Sequence, residues 1–125
     1  MKKIIVTKNA PDPIGPYSQA VQAGGLIFVS GQVGKNPATG NVVNDTIQNE
    51  TKQVMQNIKN ILETGGSSLD KVVKTTIFLT NMDDFSKVNE IYGSFFKGEF
   101  PARETVQVSR LPLNVNVEIS VIAEV

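Results

Sequence analysis

The chain has 125 residues with 12 basic and 12 acidic side chains, so its formal net charge is zero. This length fits a single domain, residues 1–125, and the balanced charge removes the electrostatic case for binding nucleic acid or an anionic membrane. Cysteine and histidine are both absent, which excludes disulfides, thiol nucleophiles, zinc–thiolate sites and serine–histidine triads.

The N-terminal segment starts with basic residues, but its apolar run covers only Ile4 to Val6. This run is too short for a signal peptide or a membrane-spanning segment, so we expect a cytoplasmic protein without membrane contact. Ile4 to Thr7 is predicted to form a short strand. Lys8 to Tyr17 contains three prolines and one glycine, which predicts an irregular, extended loop.

A tight β-hairpin is predicted around Gly24-Gly25, because paired glycines supply the positive φ angles of its turn. Its strands are Gln19 to Ala23 and Leu26 to Ser30. The second strand is apolar on both faces, and so is Val72 to Leu79 apart from Lys74 and the threonines. Two helices can cover only one face of a small sheet. We therefore predict that the chain associates with itself over the other face.

Two amphipathic helices are predicted from apolar side chains that recur at helical spacing. For the first, Asp45 is the expected cap, Gln48 completes a near-capping box and Gly65-Gly66 ends the helix. The second takes its caps from Asn81 to Asp84 and is closed by Gly98. The stripes are Ile47, Val54, Met55, Ile58, Ile61 and Leu62 in the first helix, and Phe85, Val88, Ile91, Tyr92, Phe95 and Phe96 in the second.

The C-terminal segment, Pro101 to Val125, alternates with a period of two residues and is predicted to form two strands. If they pair as an antiparallel hairpin that turns near Leu111-Pro112, Thr105 lies near Glu118 and Arg103 lies diagonal to Glu118. One interpretation is a solvated cross-strand salt bridge, which contributes little. The other is a small-molecule site, in which arginine binds a carboxylate and glutamate handles protons or water. Spacing leaves both open.

The predicted order of elements is strand, hairpin, helix, strand, helix and two strands. This order indicates an α+β fold with a mixed sheet and both helices packed on one face. We expect the polar patch around Arg103 and Glu118 to lie on the other face of the sheet, which would meet neighbouring subunits. Ligand sites at subunit boundaries follow from that arrangement.

Four ordered motifs resemble the YjgF/RidA family of enamine/imine deaminases and cover essentially the whole chain. They are IGPYSQA, VSGQVG with the NPATG-type loop that follows it, PARETVQVSRLP, and VEISVIAEV. The resemblance implies a chorismate-mutase-like single domain and a homotrimer with three pockets at its subunit interfaces. It also implies hydrolysis of reactive 2-imino and 2-enamino acids, such as 2-iminobutanoate and 2-aminoacrylate, to 2-keto acids and ammonia. No cofactor or metal is implied.

The resemblance also implies roles for particular residues. Arg103 matches the arginine that binds the substrate carboxylate, and Glu118 matches the carboxylate that positions the attacking water. Tyr17 matches a pocket tyrosine, Ser30-Gly31 a pocket wall with backbone donors, and Asn89 a helix asparagine near the site. Such chemistry is plausible because a protonated imine carbon is already electrophilic, so that orientation, a proton relay and a placed water suffice.

Two positions depart from the family pattern. Thr105, expected among the substrate-binding residues, stands where many members carry cysteine, and Glu104 stands where a small residue is usual. Both bear on substrate preference and rate. An alternative function is a regulatory protein of purine or amino-acid metabolism that binds small carboxylates in the same pocket. RNA cleavage is a third, which zero net charge and the lack of histidine disfavour.

Overall fold

A mixed sheet of six strands carries two α-helices on one face, and the computed structural model describes residues 1–125. The strands are β1 (Lys3–Ile5), β2 (Ala20–Ala23), β3 (Leu26–Gln32), β4 (Val72–Leu79), β5 (Ala102–Gln107) and β6 (Val117–Glu124). The helices are α1 (Ile47–Thr64) and α2 (Phe85–Ser94). The predicted α+β class and the predicted order of elements are confirmed. Neither helix combines the length and apolar character that crossing a membrane requires.

The strand order is β1-β2-β3-β6-β4-β5, in which only β4 and β5 pair in parallel. The predicted hairpin between the last two strands is therefore wrong, since β6 lies between β3 and β4. The physical reason is burial. One whole face of β6 is buried, whereas β5 carries polar, half-exposed side chains. A strand of the first kind stabilises the centre of a sheet, and one of the second kind suits its edge.

The core lies between the sheet and the helices, and the predicted apolar stripes form it. Side chains from α1 and β6 that are at most 3% exposed meet there: Val54, Met55, Ile58, Ile61, Leu62, Val117, Ile119, Val121 and Ala123. Val88 and Tyr92 of α2 are buried in the same cluster. Helical spacing and strand alternation were thus sufficient to identify the residues that the fold buries.

The helix ends differ from the prediction by a few residues. Thr46, not Asp45, caps α1, because its side chain accepts the Asn49 amide at 3.1 Å. Asp45 instead accepts the side-chain amide of Asn49 at 3.1 Å. Helix α2 ends at Ser94 rather than near Gly98. The residues that follow Ser94 leave the helix to pack their aromatic rings against the core.

The face of the sheet away from the helices is partly apolar, as predicted from the two-sided strands. Phe28 and Val106 are 39% and 42% exposed there. Phe28 lies opposite Ile122, and Val106 lies beside Phe78 in the register of the sheet. We call this surface the open face. Its coverage by a second copy of the chain remains a prediction.

Candidate functional site

Arg103 lies on the helix-covered face of the sheet. The register pairs Arg103 with Thr75 of β4, and Thr75 with Val121 of β6. Thr75 and Val121 are buried beneath the helices, and residues in one row of a sheet point to the same side. The expectation that Arg103 lies on the open face is therefore wrong. Its parallel pairing with β4, which the sequence does not reveal, sets its orientation.

The Arg103 guanidinium stacks on two aromatic rings of α2. Its central carbon lies 5.1 Å from the ring centroid of Tyr92 and 5.6 Å from that of Phe85, within the range of cation–π attraction. Arg103 takes no part in the ion pairs of the chain, which join Lys74 to Glu104 and Lys97 to Asp70. The rings thus orient a guanidinium whose forked N–H donors remain free for a carboxylate.

Tyr92 is itself held in place by a buried hydrogen bond. Its hydroxyl donates to Thr75 Oγ1 at 2.9 Å. Burial raises the pKa of the Tyr92 phenol, against the opposing effects of the Thr75 hydrogen bond and the Arg103 charge. Tyr92 stays neutral at physiological pH and forms a fixed platform for Arg103. Helical spacing predicts Phe85 and Tyr92 only as core residues, because spacing does not show what packs against a ring.

Asn89 and Thr105 lie near Arg103, as the resemblance implied. Asn89 and Arg103 line one cavity of about 280 Å³, together with Tyr92 and Phe100. Thr105 follows Arg103 by two residues on the same face of β5, and its buried hydroxyl has no hydrogen-bond partner. We call Asn89, Arg103 and Thr105 the arginine cluster.

A second group of predicted residues lines a separate cavity. Its volume is about 330 Å³, and its walls are formed by Ile14, Tyr17, Ser30, Gly31, Val33, Pro112, Leu113 and Glu118. We call it the glutamate cavity. Glu118 sits on β6 between the buried residues Val117 and Ile119, so its side chain leaves the opposite, open face. The expectation that Arg103 and Glu118 are neighbours within one chain is therefore wrong.

Gly31 makes room for the Glu118 carboxylate. The register of β3 against β6 shifts between Val29 and Gln32, which places a β-bulge at Gly31. A Cβ atom on Gly31 would lie 2.7 Å from both Cδ and Oε2 of Glu118, closer than such atoms approach. The glycine in this bulge thus leaves the space that the carboxylate needs to point into the cavity.

The Glu118 carboxylate is half-buried and has no cation beside it. It enters neither ion pair of the chain. Burial raises the pKa of Glu118, and no neighbouring group opposes this shift. A carboxylate with a raised pKa is a stronger base than an exposed one and can take a proton from water near neutral pH.

Tyr17 and Ser30 contribute to the glutamate cavity in different ways. Tyr17 Oη accepts the Ile14 amide at 3.2 Å, which leaves its own O–H free to donate. Ser30 donates its hydroxyl to Ser18 O at 2.6 Å and its amide to Gln19 O at 2.9 Å. The expectation that Ser30 offers a backbone donor to a ligand is wrong. Ser30 therefore holds the loop against β3 and forms part of the cavity wall.

Gln19 is a buried residue whose structural role the sequence pattern does not predict. Its side chain accepts the Thr7 amide at 2.8 Å and donates to the carbonyls of Thr7 and Pro11 at 3.0 and 2.9 Å. These bonds fold the proline-rich loop back on the sheet and so place Tyr17 over the cavity. Hydrogen bonds from a side chain to the backbone have no periodicity, so no pattern in the sequence predicts them.

For a reaction that uses the Glu118 carboxylate, replacing Gly31 by alanine is expected to lower turnover on the order of tenfold to a hundredfold, because a displacement of about 1 Å at a reacting group can have that effect. The atoms nearest to the added methyl group all belong to the Glu118 side chain, which can rotate away, so the melting temperature should change little. Steady-state kinetics and a thermal melt of the same sample check both statements. An active G31A protein would show that the carboxylate position is not critical.

Comparison with known protein families gives one match that covers most of the chain. The sequence model described as Endoribonuclease L-PSP, which represents the YjgF/RidA family, matches residues 7–125. A RutC family protein of Pyrococcus horikoshii is 51% identical over 123 residues, 98% of each chain. A candidate regulator of Lactococcus lactis, AldR, is 53% identical over the same share of both chains. The mouse 2-iminobutanoate/2-iminopropanoate deaminase is 47% identical over 98% of this chain and 91% of its own.

Solved structures give the same result. The Yersinia pestis Rid family protein YyfA is 52% identical, with a TM-score of 0.97 over the full length of both chains. Escherichia coli TdcF, solved with bound serine, is 40% identical, with a TM-score of 0.95 over 98% of each chain.

Proposed function

This chain belongs to the YjgF/RidA family, and from that membership we propose that it hydrolyses 2-imino and 2-enamino acids to 2-keto acids and ammonia. One structural observation carries the proposal. The chain holds a guanidinium and a carboxylate, each positioned, each without a partner of opposite charge. Such unpaired, positioned groups are typical of a site that completes its interactions with a ligand. The name of the mouse relative supports the same reaction.

Arg103 binds the substrate carboxylate, and Glu118 places the water. The water oxygen bonds to C2 of the protonated imine, the C=N π electrons move to nitrogen, and Glu118 takes a proton from the water. That proton passes to the amino nitrogen, and Glu118 then takes the hydroxyl proton and returns it to solvent. The C–N bond breaks, and ammonia leaves as the carbonyl of the 2-keto acid forms. The Tyr17 hydroxyl supplies a further hydrogen bond to the bound acid. Serine bound to TdcF supports an amino-acid-like ligand.

A site that uses both Arg103 and Glu118 needs two copies of the chain, since the two side chains leave opposite faces of one sheet. The arginine cluster and the glutamate cavity are different surfaces, so their contact is heterologous. Heterologous contacts whose rotation closes form rings, and the smallest such ring is a trimer. We therefore propose the homotrimer that the family resemblance implies, with its open faces turned inward and one site at each boundary.

A coupled assay tests the activity. An amino-acid oxidase generates the imine from its amino acid, and release of 2-keto acid is followed with and without this protein. We expect acceleration above the spontaneous rate. No acceleration by a folded, oligomeric protein contradicts the proposal and favours carboxylate-sensing regulation.

Mixed trimers of two inactive variants test the shared site. In a co-assembled population of R103A and E118Q chains, about a quarter of the boundaries join an intact Arg103 to an intact Glu118. We expect the mixture to recover a similar fraction of wild-type activity. The control is the R103A/E118Q double variant, which should restore nothing when mixed with either single variant. A mixture as inactive as its components would contradict a site shared between two chains.

The same residues bear on two other functions, regulation and RNA cleavage. The name of the Lactococcus relative favours a regulatory function. Regulation through carboxylate binding would use Arg103 but gives no role to a desolvated Glu118. The family description favours RNA cleavage. A chain with zero net charge and no histidine lacks both the basic surface and the proton shuttle that ribonucleases commonly use.

A further inference from the structure

Leu113 has an unusual backbone conformation for its residue type. Its φ and ψ angles are 58° and 17°, and Asn114 follows with φ of 57°. Asparagine tolerates this left-handed region, whereas a bulky apolar residue rarely adopts it. The Leu113 side chain is nevertheless 49% exposed, so burial of its own apolar surface does not explain why leucine stands here.

The turn that contains Leu113 is held from both ends. Leu111 and Val115 are buried on either side of it. Beyond them, the backbone amide and the side-chain amide of Asn116 each donate to the Glu50 carboxylate at 2.8 Å. Glu50 is fully buried within α1. Such an anchored frame can maintain a backbone conformation that its residue would not adopt alone.

The held side chain lines the glutamate cavity. Leu113, Ile14, Val33 and Pro112 are its apolar lining residues, and Tyr17 and Glu118 line the same cavity. Ile14 is 58% exposed. The cavity lining therefore combines apolar side chains with groups that can hydrogen-bond. Isolated exposed leucines need no explanation, but one kept in an unfavourable conformation at the mouth of a cavity does.

We propose that Leu113 is a specificity-determining residue, whose side chain contacts the aliphatic side chain of the substrate while Glu118 faces its reacting carbon. This inference rests on the proposed function and adds a substrate class to it. The site favours 2-imino acids with larger aliphatic side chains over the one derived from alanine. A pocket contact with each additional methyl or methylene group typically changes kcat/KM by about tenfold or more.

The test compares wild type with L113G, which removes the side chain and suits the left-handed backbone. The matched control is N114G, which relaxes the neighbouring left-handed residue but does not touch the cavity. Imines are generated from leucine and from alanine by amino-acid oxidases. We expect L113G to lower kcat/KM for the leucine-derived imine by about tenfold or more. For the alanine-derived imine, it should remain within about twofold of wild type.

Product binding gives a second measurement that does not depend on turnover. Calorimetry compares 4-methyl-2-oxopentanoate with pyruvate, and we expect wild type and N114G to prefer the branched acid. L113G should lose that preference and melt no lower than wild type. Equal preference in L113G and wild type, or none in wild type, overturns this inference even if the enzyme is active. If turnover is absent but the binding preference is intact, the proposed deaminase activity is overturned and the role of Leu113 in binding still holds.

Discussion

Replacement of Arg103 by alanine is expected to lower kcat/KM for imine hydrolysis by roughly a thousandfold. The guanidinium is the group that binds the substrate carboxylate, and two charge-assisted hydrogen bonds at about 2 kcal/mol each correspond to that factor at room temperature. The loss should extend to binding of the 2-keto acid product. Kinetics and product titration on the same variant measure both.

The controls for this prediction separate charge from geometry. Arg110 is the other arginine of the chain, and it is exposed and lies outside the arginine cluster and the glutamate cavity. R110A should therefore retain wild-type kinetics. R103K keeps the positive charge but loses the planar fork, and we expect it to recover only part of the activity. Arg103 makes no ion pair within its own chain, so R103A should fold as wild type does. Full activity in R103A contradicts the assignment of the carboxylate-binding group.

Local patterns were sufficient to predict the elements and their buried faces. In α1, apolar side chains recur at helical spacing because one face of the helix is buried, and Val54, Ile58 and Ile61 are all fully buried. In β6, alternation separates the buried Val117 from Glu118 for the same reason. Each of these statements concerns one element, and the period of that element determines it.

The arrangement of strands could not be predicted in this way. Alternation shows that β5 and β6 are strands, but the partner of each depends on which strand fills the centre of the sheet. The predicted proximity of Arg103 and Glu118 failed for this reason alone. The motifs pointed to both residues, and each lines a cavity; their joint role in one site stays a prediction.

Substitution of Glu118 by glutamine is expected to reduce turnover by about a hundredfold to ten-thousandfold, the range that a general base contributes. Glutamine has almost the same shape but cannot take a proton from water. Arg103 is untouched in this variant, so binding of the 2-keto acid should persist. A rate and an affinity measured on one sample check the prediction. Normal turnover in E118Q means that another group activates the water.

The same variant should be more stable than wild type near neutral pH. Burial raises the pKa of Glu118 in the folded chain, which means that the ionised carboxylate destabilises the fold. This destabilisation is absent below the ordinary glutamate pKa and develops as the pH rises through the raised value. Glutamine does not titrate, so E118Q should match wild type in acid and exceed it at neutral pH. Denaturant unfolding at both pH values measures the difference.

Combining E118Q with R103A tests whether the two groups meet across a subunit boundary. In the proposed trimer, Arg103 of a second copy approaches Glu118, and an opposite charge favours the ionised carboxylate. Removal of Arg103 leaves Glu118 desolvated without that compensation. E118Q should therefore stabilise the R103A protein more than it stabilises wild type, and the difference is the coupling free energy of a double-mutant cycle. Strictly additive effects would mean that the guanidinium and the carboxylate never face one another, in which case two separate sites replace the shared one.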